Sequence, residues 1–271
     1  MAQKIILTPV QTDDNPESFY FCSVHLIIDL GNTAHKVAFG EGNQIQSVHQ
    51  FSQLDLPILN ALLQKQPIEN WILSSVTHPI PDIENELKNN YPGIIFNHQT
   101  PLPIHNAYKT PETLGKDRLA NVVAAHYLFP EQDALVNDAG SCIKYDFISS
   151  KGNYCGGSIS PGLQMRFMAM HHFTARLPLI DMDSVFNGGT PPPVAGDSTP
   201  TAMISGGAMG ALLEMEGFIS HYRKVYSDVT IILTGGNMAF FDVHLKSRIF
   251  AIPNLTLTGL LAVLEYNSRD I

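Results

Sequence analysis

Hydrophobic and polar positions along the chain fall into short β-rich runs that alternate with helical stripes. Val24 to Asp29 (VHLIID) is β-rich, and Thr33 to Phe39 is strand-like again after a tight turn. Leu56 to Lys65 predicts a helix and Asn70 to Ser75 (NWILSS) a buried strand. Polar Asp82 to Asn89, behind Pro79 and Pro81, predicts a surface helix. Glu112 to Leu128 carries Leu119, Val122, Val123 and His126 at helical spacing, and Pro130 stops it. Ala134 to Asp138 (ALVND), Ile143 to Ser149 and Gly152 to Ser160 predict three further strands. Pro161-Gly162 opens a Met-rich helix to about Ala175, and Asn187 to Pro200 (NGGTPPPVAGDSTP) reads as a loop. Thr201 to Tyr222 predicts one long helix with Ile204, Ala208, Leu212, Met215 and Ile219 on one side. Val229 to Leu233 is a strand that Gly235-Gly236 ends, and the last helix spaces Leu257, Leu260, Leu261 and Leu264 helically. The plainest reading of these stripes, Met165, Met168 and Met170 included, is core packing.

Strands alternating with helices imply an α/β fold. One internal echo refines this. An apolar run, Asp29-Leu30-Gly31-Asn32-Thr33 and a second β run return as an apolar run, Asp138-Ala139-Gly140-Ser141-Cys142 and a second β run. The copies start 109 residues apart, from 29 to 138, which is about one domain. The expectation is two related α/β halves facing one cleft. The chain then divides into an N-terminal extension over 1–23, one domain over 24–133 and another over 134–271.

Composition narrows the function classes. Of 271 residues, 16 are Lys or Arg and 25 Asp or Glu, a net charge of −9, and 44% are apolar. This is not the composition of a disordered chain. The acidic balance offers no electrostatic footprint for nucleic acid. No apolar run approaches the roughly 20 residues needed to cross a bilayer, and the apolar stretch near Met1 is too short for a signal-peptide core. Cys22, Cys142 and Cys155 cannot all pair and form no C-x-x-C, so a reducing cytoplasm fits best. A net negative protein that binds an anion must concentrate positive potential locally.

Three places can carry chemistry. At Asp29 to Thr33, glycine admits a ligand close to the backbone, and successive N–H groups in such a turn can cradle an anion. Asn32 and Thr33 add short donors, and a neighbouring carboxylate can hold hydrated Mg²⁺. The same loop also reads as a routine hairpin turn. At Gly115-Lys116-Asp117-Arg118, Asp117 could accept a proton from a hydroxyl and Arg118 could fork a carboxylate or phosphate. A helix-start Asp with a surface Arg reads equally well from the residues alone, as does half-buried packing for Tyr108. Thr234-Gly235-Gly236-Asn237 lets a flat group lie on the backbone near a helix N-terminus. No Walker, G-x-G-x-x-G or G-x-S-x-G motif is present. The eleven histidines lack metal-ligand spacing, and His171-His172 read as ordinary partly buried or surface residues.

Taken in order, Asp29 to Thr33, Ser74-Ser75-Val76, Tyr108 with Gly115 to Ala120, Asp138 to Ser141, Gly156 to Gly162, Thr174 to Pro178, Asp197 to Thr199, Ser205-Gly206 and Leu233 to Gly236 resemble type III pantothenate kinases. These belong to the acetate and sugar kinase/Hsp70/actin superfamily. The resemblance covers roughly Leu26 to Asn267. It implies two ribonuclease-H-like domains with ATP between them, usually in a homodimer whose subunits complete each other's sites. The implied reaction moves the γ-phosphoryl group of ATP, with Mg²⁺, to the 4′-hydroxyl of pantothenate, the first committed step to coenzyme A.

By the same resemblance Asp29, Leu30, Gly31, Asn32, Thr33, Ala34, His35 and Lys36 form the first phosphate loop, and Ser141 sits at the ATP phosphates. Asp117 is the general base. Tyr108, Gly115, Lys116, Arg118 and Thr199 hold pantothenate. Asp138 coordinates K⁺ or NH₄⁺. The second loop departs from the family pattern Asp-x-Gly-Thr-Ala-x-Thr-x-Asp, reading Asp138-Ala-Gly-Ser141-Cys142-Ile-Lys144-Tyr-Asp146. Ser141 keeps the hydroxyl, and Cys142 is a small, usually buried swap. Lys144 brings a cation that could pair with Asp146 or a phosphate, or partly replace the monovalent ion. The loop from Asn187 to Gly196 is also longer than usual. A non-catalytic ATP-binding regulator on the same scaffold is the main alternative, and a kinase of another small hydroxyl compound the next. Asp29, Asp117, Arg118 and Asp138 together favour the enzyme, because a binding module needs no base.

Overall fold

The computed structural model describes residues 24–186 and 190–268. The N-terminal extension expected over 1–23 lies outside the described residues, as do Asn187, Gly188 and Gly189 of the expected loop. In chain order the elements are β1 (Val24–Leu30), β2 (His35–Glu41), β3 (Gln44–Phe51), α1 (Leu56–Leu63), β4 (Asn70–Ser75), α2 (Pro81–Asn90), β5 (Gly93–Ile95), β6 (His105–Asn106) and α3 (Lys116–Leu128). There follow β7 (Ala134–Ala139), β8 (Cys142–Ile148), β9 (Asn153–Pro161), α4 (Leu163–His172), α5 (Met182–Phe186), α6 (Thr199–Ile204), α7 (Gly210–Val225), β10 (Thr230–Thr234), α8 (Met238–His244), β11 (Phe250–Ala251) and α9 (Leu255–Asn267).

The strands make two sheets. The first has five, in the order β3-β2-β1-β4-β5. Its first three strands run antiparallel to their neighbours, and β1, β4 and β5 run parallel. The second has six, in the order β11-β10-β7-β8-β9-β6. With β6 set aside, β7, β8, β9, β10 and β11 repeat the order and directions of β1 to β5. The echo between the two Asp-x-Gly segments is therefore part of a repeated β-β-β-α-β-α-β-α plan, in which α4 to α7 stand where the first copy has α1 alone, α3 closes the first copy and α9 the second.

Central strands read clearly in the sequence because both faces are covered. Leu26, Ile27, Ile28 and Leu30 of β1 are fully buried, as are nearly all of β7 and β10. Leu59 on α1 and Ile83 and Leu87 on α2 close one side of the first sheet, around Trp71 and Phe39. Asp55 caps α1, its carboxylate accepting the Ile58 N–H at 2.9 Å. The second sheet builds its core with Phe167 of α4 and Leu212, Met215 and Ile219 of α7.

Two compact units result. The first holds residues 24–103, Thr110–Ala124 and the chain from Thr256 onward, and the second holds Ile104–Lys109 and Ala125–Leu255. This differs from an unbroken division at 133/134. Helix α9 closes the second copy in sequence but packs with α3. A Cβ on Gly259 would lie 1.8 Å from the Ala120 carbonyl oxygen, so the two backbones approach as only glycine allows. Thr256 donates to the Asn121 side chain at 2.9 Å in the same contact.

Three readings are corrected. The long helix from Thr201 to Tyr222 is two helices, α6 and α7, joined by a π-helical segment at Ser205–Met209. Gly206 and Gly207 lie in that segment, and an apolar stripe of ordinary period does not register the extra residue per turn. Met165 and Met168 are not core: they are 43% and 52% exposed, while Leu163 and Phe167 carry the buried face of α4. Arg118 is not a surface arginine, being 4% exposed.

Candidate active site

The first Asp-x-Gly segment is the β1–β2 hairpin. Sheet register sets Asp29 opposite Lys36 on one side and beside Ser74 of β4 on the other. Leu30 is fully buried and can offer a ligand only its backbone. The Gly31 N–H donates to the Ala34 carbonyl at 3.2 Å, closing the turn and leaving Asn32 and Thr33 exposed at its tip. His35 faces inward, its Nδ1 accepting the Leu54 N–H at 3.0 Å. That bond places the proton of the neutral ring on Nε2. His35 is thus a brace for the hairpin, and the polar side chains at the tip are Asn32 and Thr33.

The second cluster opens α3. A short 3₁₀ turn at Pro111–Thr113 and an extended Leu114 deliver the chain to Gly115. Asp117 lies in the first helical turn, where a carboxylate meets the positive end of the helix dipole. Its Oδ1 accepts the Arg118 N–H at 2.9 Å. A Cβ on Gly115 would stand 2.6 Å from that same Oδ1, so glycine there is the space the carboxylate occupies. Lys116 is half-buried, and the buried Arg118 follows at once. One helix start therefore gathers Gly115, Lys116, Asp117 and Arg118.

The second hairpin, β7–β8, repeats the first with tighter closure. Asp138 lies opposite Lys144 and beside Thr234 of β10. Gly140 N–H donates to the Cys142 carbonyl at 3.1 Å, and Gly162 N–H to the Ser141 carbonyl at 3.1 Å. Ser141 is exposed at the tip. Gly235 has φ +99°, and a Cβ on it would lie 2.6 Å from both Asp138 Oδ1 and the Ala139 carbonyl carbon. The Asn237 N–H donates to the Ala139 carbonyl at 2.8 Å, tying the Gly-Gly turn to β7.

Lys144 reaches Asp138: its ammonium lies 2.9 Å from Oδ2, with the two side chains only 16% and 12% exposed. Asp146, a partner the sequence also allowed, accepts the Tyr154 hydroxyl at 2.8 Å. A monovalent cation expected at Asp138 would meet a carboxylate already neutralised by a fixed ammonium. The residues present do not fit a free ion there.

Tyr108 follows β6 and belongs to the second unit, like Asp138, Ser141 and Thr199; Asp29 to Lys36 and Gly115 to Arg118 belong to the first. The Tyr108 ring stacks on Tyr154 with centroids 6.2 Å apart and planes 8° apart. Its N–H donates to Asn106 Oδ1 at 3.1 Å. Thr199 is exposed in the first turn of α6, where Ser198 and Thr201 make the capping bonds.

One network was invisible in the sequence. Glu214 of α7 accepts the Tyr145 hydroxyl at 2.8 Å and an Arg166 N–H at 2.6 Å. Arg166 also donates to Ser160 Oγ at 2.7 Å and to the Pro161 carbonyl at 2.8 Å. Burial pushes the Glu214 carboxyl up, but hydrogen bonds from Arg166, Ser160 and Tyr145 outweigh it and hold the group below the usual range. Burial, then the hydrogen bond to Glu214 and its charge, pushes the Tyr145 phenol well up. The partners lie 48 and 69 residues apart, and no local pattern marks them.

Chemically, the first unit offers a carboxylate at a helix start and a turn with two exposed polar side chains at its tip. The second offers a hydroxyl-tipped turn over an internally neutralised carboxylate. A family model described as type III pantothenate kinase matches residues 25–221. A type III pantothenate kinase of Phocaeicola vulgatus is 42% identical over 247 residues, 91% of this chain and all of the relative. One from Christiangramia forsetii is 41% identical over 249 residues, again 91% of this chain and all of the relative. Among solved structures, a candidate N-acetylmannosamine kinase from Listeria monocytogenes aligns at TM-score 0.53 and 12% identity, over 90% of this chain and 99% of that one. An activator of 2-hydroxyisocaproyl-CoA dehydratase from Clostridium difficile, with bound ADPNP, aligns at TM-score 0.50 and 14% identity, over 91% and 95% of the two chains.

Proposed function

Since the chain belongs to the type III pantothenate kinase family, we propose that it transfers the γ-phosphoryl group of ATP to the 4′-hydroxyl of pantothenate, the first step of coenzyme A biosynthesis. Its fold is that of the acetate and sugar kinase, Hsp70 and actin superfamily. The observation that carries the reading is Asp117 at the start of α3, in the space left by Gly115 and followed by the buried Arg118.

Phosphoryl transfer asks a protein for positioning and charge neutralisation more than for covalent chemistry. Asp117 accepts the proton of the acceptor hydroxyl as its oxygen bonds to phosphorus. The Arg118 N–H on Oδ1 fixes the orientation of that carboxylate. The Arg118 guanidinium offers a planar fork to the pantothenate carboxylate. Tyr108, Gly115, Lys116 and Thr199 complete the acceptor site. Asp29 to Lys36 and Ser141 take the ATP phosphates, through backbone N–H groups and short hydroxyls.

Mg²⁺ fits this donor set. It needs one or two carboxylates plus substrate phosphates rather than a protein cage. Asp29 supplies the carboxylate, and no group of three His, Cys, Asp or Glu is gathered as a cage among the described residues. When bound, Mg²⁺ neutralises phosphate charge. The working form is a cytoplasmic homodimer. In support, Met168 and Leu179 are exposed beside a groove of about 610 Å³ on the second unit. No helix among the described residues is long and apolar enough to cross a membrane.

ADP release from ATP and Mg²⁺, with and without pantothenate, tests the reading. Pantothenate-dependent release is expected. Nucleotide binding with no pantothenate-dependent turnover would overturn it in favour of a regulator or another acceptor.

A further inference from the structure

We propose that Lys144 is this protein's own tethered monovalent cation: its ammonium stands on Asp138 in place of K⁺ or NH₄⁺, so turnover does not depend on either ion in solution. The proposal rests on the kinase reading of the site.

The geometry is set by the hairpin. Asp138 and Lys144 are direct partners in the β7–β8 register, so their side chains share a face. The β7–β8 turn is short, with Gly140 bonded to Cys142, so the two strands hold that register close to the tip. Lys144 Nζ sits 2.9 Å from Asp138 Oδ2, with both side chains largely removed from water. On its other side the carboxylate is hemmed in by Gly235, whose missing Cβ leaves just the room Oδ1 needs. A lysine ammonium carries one positive charge and three N–H donors, the same charge and the same donor type as an ammonium ion. Being covalently attached, it occupies the position without the association cost a free ion must meet. A second monovalent cation at the same carboxylate would meet a like charge a few ångströms away in a partly buried setting, where repulsion is only weakly screened.

The pair is also placed to matter for nucleotide handling. Asp138 is the last residue but one of β7, just before the Gly140-Ser141 turn, and the Gly235 turn packed against it continues into Asn237, bonded to Ala139. An uncompensated carboxylate at that point would repel a polyphosphate. Lys144 removes that charge from within the sheet, so it acts as a positioning and neutralising residue and touches no reacting atom. A purely structural ion pair would lower stability on removal without caring which salt is present. A stand-in for a bound ion creates a specific requirement for K⁺ or NH₄⁺ when it is removed.

The test uses the full chain in KCl, NH₄Cl, NaCl and choline chloride at one ionic strength, with two readouts: pantothenate-dependent ADP release and melting temperature with ADP and Mg²⁺. Wild-type turnover should agree within about twofold across the four salts, and its melting temperature should not rise in KCl over choline. Lys144→Thr should turn over at least tenfold more slowly in choline, recover in K⁺ or NH₄⁺ but not Na⁺, and melt higher in KCl than in choline. Lys144→Gln replaces it should the threonine variant not fold. A tenfold loss of wild-type turnover without K⁺, or a variant as indifferent to salt as the wild type, overturns the proposal. If no salt supports pantothenate-dependent turnover, the kinase reading fails, and the melting comparison still decides the lysine: K⁺ must raise the variant and leave the wild type unmoved.

Discussion

The hairpin at Asp29 and the hairpin at Asp138 follow one plan and are closed in different ways. Each ends a central strand with Asp-x-Gly, sets the Asp opposite a lysine on the next strand, and places a small hydroxyl residue beside it on the parallel neighbour: Lys36 and Ser74 in the first, Lys144 and Thr234 in the second. The first closes on itself, with one bond from Gly31 to Ala34 and an exposed tip. The second is a residue shorter and is wedged by chain from elsewhere, Gly162 at Ser141 and Gly235 at Asp138. The copies differ again where each ends. Helix α3 begins with Lys116, Asp117 and Arg118, whereas α9 has no acidic residue in its first turn. The same scaffold occurs twice with different fittings: the first copy carries the proposed base and an exposed loop, the second a loop whose carboxylate is paired with Lys144.

The sharpest way to break this division is at α3. Asp117→Asn keeps the shape and removes the proposed base. Turnover should fall by roughly 10²–10⁴-fold while nucleotide binding persists, as read by ADP release and a nucleotide titration. Wild-type-like turnover would take Asp117 out of the mechanism and with it the asymmetry between the copies.

The difference in closure predicts unequal tolerance of a single methyl group. Gly235→Ala adds a Cβ at φ +99° and 2.6 Å from two neighbours, so both strain and overlap apply, together about 2–4 kcal/mol. In a chain of this size the melting temperature should drop by about 5–10 °C. Gly31→Ala meets only the Ala34 carbonyl oxygen, at 3.1 Å, and should cost less than about 1 kcal/mol. Equal shifts in the two variants would show that the second hairpin is no more constrained than the first.

The next contrast lies one residue beyond each lysine. Val37 in β2 faces a wholly apolar cluster, whereas Tyr145 in β8 bonds to Glu214, which Arg166 holds from α4. Arg166→Met leaves the Glu214 carboxylate without its cation and should cost about 1.5–3 kcal/mol in chemical unfolding, and Tyr145→Phe about 1 kcal/mol. Both losses should leave the first unit's hairpin untouched. The two variants share Glu214, so the double variant should lose less than the sum.

How much of this was legible follows from what kind of signal each feature leaves. β1, β4, β7 and β10 could be read because continuous apolar runs mark strands covered on both faces. β3, reading QIQSVHQF, is an edge strand with most positions exposed, and its sequence offers no such run. β5, β6 and β11 are two or three residues long and too short for any period to show. The two Asp-x-Gly hairpins were legible because a turn is local chemistry. The odd lysine was legible as a departure, but its partner was not: residue spacing allowed Asp146, and the cross-strand register chose Asp138. Arg118 reads as well as a surface residue from spacing alone, yet it is buried, and α3 packs just beyond it, at Ala120 and Asn121, against α9 from the far end of the chain.

The smallest expected effect concerns acid. Glu214 is held below its ordinary value of 4.5 in the folded protein, so between that value and its folded one the unfolded chain binds more protons. Stability from this group is therefore complete above about pH 4.5 and is lost as pH falls through the folded value. Arg166 provides the first of the hydrogen bonds that lower it. In Arg166→Met, burial is opposed only by Ser160 and Tyr145, so the folded and unfolded values draw together and the acid-dependent part of stability shrinks. Urea unfolding at pH 7 and at successive steps below pH 4.5 reads this directly: the gap between wild type and variant should be widest at neutral pH and narrow on acidification. A gap that stays constant with pH would mean that the tie from α4 to α7 acts by packing alone, which would make the second sheet's polar network the energetic equivalent of the apolar cluster around Val37.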